Sequence, residues 1–95
     1  MPAFVVVDIL VTDPSAYEEY KRLASQSIQA FGGSYLVRGG ASQVLEGSWQ
    51  PNRLVLLQFD TLERAQAWYA SPEYARAKEA RNNCAQLNMV AMGGL

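Results

Sequence analysis

An α+β fold, with helices packed on one face of an antiparallel sheet, is predicted by three features of this sequence. Short strand-like runs (Phe4 to Val11, rich in β-branched residues, then Arg53 to Phe59 and Leu87 to Met92) alternate with stretches whose apolar residues recur at three- and four-residue spacing. Cap-and-proline pairs, Asp13-Pro14 and Ser71-Pro72, mark where helices begin. The resulting order is β-α-β-β-α-β, that of a ferredoxin-like sandwich.

The first strand, Phe4 to Val11, is interrupted only by Asp8 and reads as a central strand buried on both faces. Asp13 is expected to cap a helix with Pro14 at its first position, where a missing N–H does no harm. Tyr17, Tyr20, Ala24, Ile28 and Phe31 form one face of that helix, and Gly32-Gly33 supplies its left-handed stop. Ser34 to Arg38 is the second strand. Gly39-Gly40 is expected to turn or bulge into a further strand segment, Ser42 to Ser48. The loop Trp49-Gln50-Pro51-Asn52 then leads to the strand Arg53 to Phe59. Asp60 and Glu63 resemble a capping box, with Asp60 as the cap and Leu62, Ala65, Trp68 and Tyr69 as the apolar stripe. Ser71-Pro72 restarts a helix carrying Tyr74, Ala77, Lys78 and Arg81, Asn82-Asn83 ends it, and Leu87 to Met92 is the last strand. Helices cover one sheet face. The other needs a cover of its own, and face-to-face homodimerisation is the simplest one for so small a chain.

Ninety-five residues form a single domain, 1–95, near the small end of what folds alone. A net charge of −1, with no run of basic residues, gives no electrostatic reason to expect nucleic acid or an acidic membrane as partner. No stretch approaches the ~20 apolar residues of a membrane span. The N-terminus leads straight into strand-like sequence without the basic region of a signal peptide. The single cysteine, Cys84, forms no intramolecular disulfide and suits the cytoplasm; it reads as an inert buried thiol. The chain has no histidine. That removes histidine-dependent nucleophilic triads and argues against a zinc or haem site, so no metal or cofactor is expected.

Asp13-Pro14, Tyr17 and Tyr20, Gly32-Gly33, Leu36-Val37-Arg38-Gly39-Gly40, Leu45-Glu46-Gly47, Trp49, Pro51, Arg53, Phe59, and Trp68-Tyr69 through Ser71, Glu73-Tyr74 to Arg81 together resemble the pattern of domain of unknown function 1330. The resemblance covers nearly the whole chain. It implies a small, mainly bacterial protein of the dimeric α/β-barrel superfamily, with its sheet packed on a partner's. Superfamily relatives include cofactor-independent monooxygenases, dye-decolourising haem proteins and stress-response proteins, so membership alone does not fix function. Where family members often carry a basic residue after the double glycine, this chain has Ser34; where they often carry a late glutamate, it reads Met92-Gly93. Both changes make the site less charged.

Charged residues within the strand-like runs are the candidates for chemistry. If Gly39-Gly40 were a two-residue hairpin, Arg38 and Glu46 would point to opposite faces; a bulge would put them together. A shared face would make Arg38 a bidentate clamp and Glu46 a base, or simply give a structural ion pair. Asp8, in a central strand, needs a partner such as Arg53 or Arg38, or water access at the strand end. The helix aromatics read mainly as core, with Tyr20 or Tyr74 able to present a hydroxyl to a pocket. Trp49 reads as a lid or interface anchor, and Arg81 as a helix C-cap or a partner of Glu73.

The expected function is binding of a small carbonyl- or carboxylate-bearing molecule, with any chemistry being cofactor-independent proton transfer or oxidation. Arg38 anchors the ligand, Arg53, Trp68 and Tyr20 complete the binding set, and Glu46 or Asp8 acts as base. The alternative is a non-catalytic interaction protein whose charged strand residues hold a dimer together.

Overall fold

The computed structural model describes residues 1–95. Its elements are β1 (Ala3–Val11), α1 (Pro14–Ala30), β2 (Ser34–Arg38), β3 (Arg53–Phe59), α2 (Leu62–Tyr69), α3 (Pro72–Ala80) and β4 (Ala85–Gly93). The strands form one antiparallel sheet in the order β2-β3-β1-β4, which is the ferredoxin-like arrangement.

Local chemistry sets the helix ends. The Asp13 carboxylate accepts from the Ala16 N–H at 3.3 Å, with Pro14 as the first helical residue of α1. At the other end Gly32 adopts φ +74, and the N–H groups of Gly33 and Gly32 reach back to the carbonyls of Ile28 and Gln29. That is a Schellman stop, and glycine meets its left-handed position without a Cβ penalty. Ser71 serves two helices at once. Its Oγ donates to the Trp68 carbonyl at the end of α2 and accepts from the Tyr74 N–H at the start of α3. The cap of α2 is Thr61, whose hydroxyl accepts from the Arg64 N–H, and not Asp60 as expected. Both residue types cap well, and adjacent candidates differ only in which one the incoming strand leaves extended.

Register divides the sheet into two faces. Val5 sits opposite Leu57 and Ala91, and Val7 opposite Val55 and Met89, all turned toward the helices. Phe4, Val6, Asp8 and Leu10 turn the other way, with Leu56 and Val90 flanking Val6. β1 is central, but within the chain only one of its faces is covered. Val5, Val7 and Ile9 are buried, Phe4 and Val6 half-buried, and Leu10 exposed. The core therefore lies between the sheet and the helices, where Trp68, Tyr74, Phe59 and Leu57 are the largest fully buried side chains.

The strand expected at Ser42 to Ser48 does not form. Residues 39–52 are an irregular connection whose side chains between Ala41 and Gln50 are all exposed, Leu45 at 91%. Apolar β-formers specify a strand only where a neighbouring edge is free to pair with them. Here β2 already lies beside β3, and the connection leaves β2's outer edge unpaired, being tied instead at Trp49 and Asn52 to Asp8 on the open sheet face. The irregularity that matters lies instead inside β2, where the pairing steps from Tyr35↔Leu57 to Val37↔Leu56 across a bulge at Leu36. The extra residue shifts the parity of the strand end, so Arg38, opposite Val55, turns to the helix face.

Candidate functional site

Four of the residues expected to bind ligand come together. Tyr20, Arg38, Arg53 and Trp68 all line a narrow crevice of about 30 Å³ between α1 and the β2–β3 side of the sheet. Arg38 reaches it through the bulge; its Nη2 donates to Ser25 Oγ at 3.1 Å and its guanidinium stacks 4.3 Å from the Tyr35 ring centroid. Arg53 pairs with Ile9 across the strands and so points the same way. A Cβ on Gly39 would lie 2.6 Å from Arg53 Cζ, so the guanidinium rests on a bare backbone patch that only glycine leaves open. Tyr20 and Trp68 are core residues as well: the Tyr20 and Tyr74 hydroxyls are 2.9 Å apart, and Trp68 Nε1 donates to Ser27 Oγ at 3.0 Å.

The two carboxylates expected as bases lie elsewhere. Asp8 occupies the open sheet face, opposite Leu54 and Asn88, and neither Arg38 nor Arg53 reaches it. Its carboxylate instead accepts from Trp49 Nε1 at 3.1 Å and from the Asn52 N–H at 2.9 Å. Asp8 thus pins the far end of the 39–52 connection to the sheet, and Trp49 is held from below rather than free to swing. Glu46 is exposed on that connection and forms no ion pair, with Arg38 or any other residue. Neither carboxylate lines the crevice or the larger cavity described next.

The larger cavity is a cleft of about 360 Å³ between α2, the end of α3 and strands β1 and β4. Val5, Ala65, Trp68, Leu87 and Met89 are among its seven hydrophobic lining residues; Gln66 and Arg81 supply its polar groups. Arg81 neither pairs with Glu73 nor stays on the surface. Its guanidinium sits 6.0 Å and 5.9 Å from the rings of Tyr20 and Tyr74, behind the cleft. The signal for it was present in the sequence. Tyr74, Ala77 and Arg81 are spaced along one face of α3, and the first two are fully buried, so a cation continues an apolar stripe.

Three tyrosines around these cavities hold their protons tightly. Burial pushes the Tyr20 hydroxyl far above the ordinary tyrosine range, and the adjacent Tyr74 hydroxyl reinforces the effect. Burial also raises Tyr74, against the opposing hydrogen bond from Tyr20 and the nearby Arg81 charge. Tyr17 is raised by burial too, partly offset by the Arg53 guanidinium beside it. All three are therefore hydrogen-bond donors near neutrality and not bases. Because the folded state favours the protonated form, their stabilisation is full below about pH 10, the unfolded tyrosine value, and is lost above it. Each group that is still protonated when folded lowers stability by about 1.4 kcal/mol per pH unit in that range. Absorbance titration at 295 nm should show a late ionisation step coincident with loss of far-UV circular dichroism; smooth titration of every tyrosine before unfolding would refute this assignment.

The family model described as domain of unknown function (DUF1330) matches residues 2–95. No protein of curated function matches the chain. Among solved structures, a protein of unknown function from Rhodopseudomonas palustris superposes with a TM-score of 0.75 at 15% identity, covering 99% of this chain and 82% of that one. SnoaB, a cofactor-independent oxygenase from Streptomyces nogalater, gives 0.67 at 11% identity, covering 99% and 93%. A dimeric ferredoxin-like protein of unknown function from Thermobifida fusca gives 0.65 at 15% identity, covering 99% and 92%. At these identities the likeness is one of fold.

Proposed function

The chain belongs to the DUF1330 family, and from that premise we propose that it is a homodimer, paired through its open sheet face, that binds a small aromatic or otherwise apolar molecule bearing a carboxylate or acidic carbonyl-derived oxygen. The observation that carries this reading is the cleft of about 360 Å³, apolar along most of its lining and provided with one cation, Arg81. A volume at the lower end of the ~300–1,000 Å³ of ligand pockets suits a one- or two-ring compound. The apolar walls take up the hydrocarbon part, while Arg81 and Gln66 fix the orientation of the oxygen. A guanidinium is the natural partner for a planar carboxylate or delocalised oxyanion.

No carboxylate lines the cleft, and the neighbouring tyrosines keep their protons. Any proton loss in the cleft thus rests on the acidity of the bound molecule itself, with Arg81 holding the resulting anion. SnoaB supports this reading by analogy of fold, as a cofactor-independent oxygenase on the same scaffold. The dimer is supported by the uncovered face around Val6, Leu56 and Val90 and by the dimeric protein from Thermobifida fusca.

Isothermal titration with 2-naphthoate and its neutral counterpart 2-naphthylmethanol tests the reading. A charge-assisted hydrogen bond worth about 1.5–3 kcal/mol should favour the carboxylate by roughly ten- to a hundredfold. Arg81→Gln should remove that preference and leave the carbinol's affinity nearly unchanged. A preference that survives Arg81→Gln, or no binding of either compound, would overturn it.

A further inference from the structure

We infer that the mouth of the α1–β2–β3 crevice is a second binding site, selective for a small oxyanion group, a carboxylate or a phosphate, and held by Arg38 and Arg53. It lies apart from the cleft: the two cavities share only Trp68 and Met89 among their lining residues. The crevice is too small for a ring, so the group enters alone and the remainder of its carrier stays outside.

The charges in the crevice are unbalanced. Lys21, Arg38 and Arg53 line it, and no Asp or Glu does. The Lys21 ammonium is taken by Glu18 at 2.9 Å. Arg38 and Arg53 have no carboxylate partner, although the chain carries more acids than bases. Two guanidiniums on one face repel each other, and a bound anion relieves that repulsion.

Hydrogen bonding points the same way. Arg53 Nε is fully buried and has no hydrogen-bond partner, the only such side-chain nitrogen or oxygen in the protein. Leaving a buried donor unsatisfied is costly, and more so for a charged group, so the site is unfinished without an acceptor. Protein acceptors have been placed around Arg38 instead: Ser25 Oγ takes its Nη2, and the Tyr35 hydroxyl is 3.1 Å from Ser25. These contacts fix the guanidinium of Arg38 while leaving its other N–H groups free. The Tyr17 hydroxyl lies beside Arg53 and feels the charges of both arginines, with its proton retained. Guanidinium forks and hydroxyl donors converging on one mouth are the recognition set of an oxyanion.

The β2 bulge supplies the arrangement. Paired without the bulge, with Leu36 opposite Leu56, Arg38 would fall opposite Leu54 on the open face, and Arg53 would stand alone. Gly39, bare beneath the Arg53 guanidinium, completes the seat.

The test is a ¹H–¹⁵N NMR titration that follows the arginine Nε–H signals, with inorganic phosphate and acetate as probes and chloride at matched ionic strength as control. Saturable movement of the Arg53 Nε–H signal with phosphate or acetate in the millimolar range, absent with chloride, is the expected result, and the tighter probe names the group. Arg38→Gln, at an exposed position that should not disturb folding, should weaken that response at least tenfold. Arg53→Lys keeps the charge, loses the fork and removes that signal, so its effect is read at the Arg38 Nε–H, whose movement with phosphate or acetate should weaken at least tenfold. Arg81→Gln should leave it unchanged, so failure of the cleft reading and failure of this one are told apart. An Arg53 signal that does not move, moves equally with chloride, or responds undiminished in Arg38→Gln would overturn the inference.

Discussion

Replacing Trp68 with alanine should cost about 3–5 kcal/mol of folding stability, the range for removing a large aromatic side chain from a packed core. Trp68 is 1% exposed and its ring centroid lies 4.4 Å from that of Tyr74 and 5.3 Å from that of Phe59. Most of the cost comes from the cavity. Ser27 Oγ, which accepts the indole N–H, still donates to the Ala24 carbonyl at 2.7 Å and is not stranded by the change. Trp68→Phe should therefore be much milder, since a ring remains and only one satisfied hydrogen bond goes. Against a typical total of about 5–15 kcal/mol, the alanine variant sits at the edge of folding. Urea unfolding at one fixed protomer concentration measures both variants, because the stability of the proposed dimer would depend on concentration. A loss below about 1 kcal/mol for Trp68→Ala would mean that the ring is not the keystone its packing implies. The same substitution should also abolish selective binding in the cleft, because Trp68 is part of the wall between the two cavities.

Val6→Glu should convert the proposed homodimer to monomer. Val6 lies mid-strand on the open face, directly between Leu56 and Val90. A two-fold face-to-face interface brings each patch against its own copy, so one substitution places two carboxylates in the seam. Each would be buried away from water without a cation, at a cost of several kcal/mol. A loss of about 4 kcal/mol or more weakens association by roughly a thousandfold. Sedimentation equilibrium at micromolar protomer reads this directly. Val6→Ala serves as the control that trims packing without adding charge. A Val6→Glu protein that remains dimeric would place the interface elsewhere.

Elements specified by contacts within a few residues were legible from the sequence. Asp13-Pro14, Gly32-Gly33 and Ser71-Pro72 set helix ends through bonds to their own neighbouring backbone, so the residues that make the structure are adjacent in the chain. β3 was read at its observed bounds, Arg53–Phe59, because the apolar run Leu54-Val55-Leu56-Leu57 lies between the loop residues Pro51-Asn52 and Asp60. Val44-Leu45 failed as a strand for the opposite reason: a strand exists only with a pairing partner, and this connection is drawn away from β2's free edge to Asp8 by contacts far apart in the chain. The bulge at Leu36 left no mark in the sequence, since nothing about leucine requires one. It is nevertheless what brought Arg38 beside Arg53 and away from Glu46. Asp8 was correctly read as needing a partner, but its partners, Trp49 and Asn52, lie more than forty residues away on an irregular connection whose path no periodicity reveals.

The bulge also makes the location of a positive charge a matter of register and not of composition. If the same residues paired without it, Leu36 would face Leu56, Val37 would face Val55, and Arg38 would fall opposite Leu54 on the open sheet face. The guanidinium would then leave the crevice for the face proposed to meet a second copy, and Val37 would take its place. Deleting Leu36, by contrast, leaves Val37 opposite Leu56 and Arg38 opposite Val55, so the arginine stays where it is. A five-residue edge strand thus holds two uses of one arginine, and a slip of one residue in pairing, with no change of sequence, exchanges them.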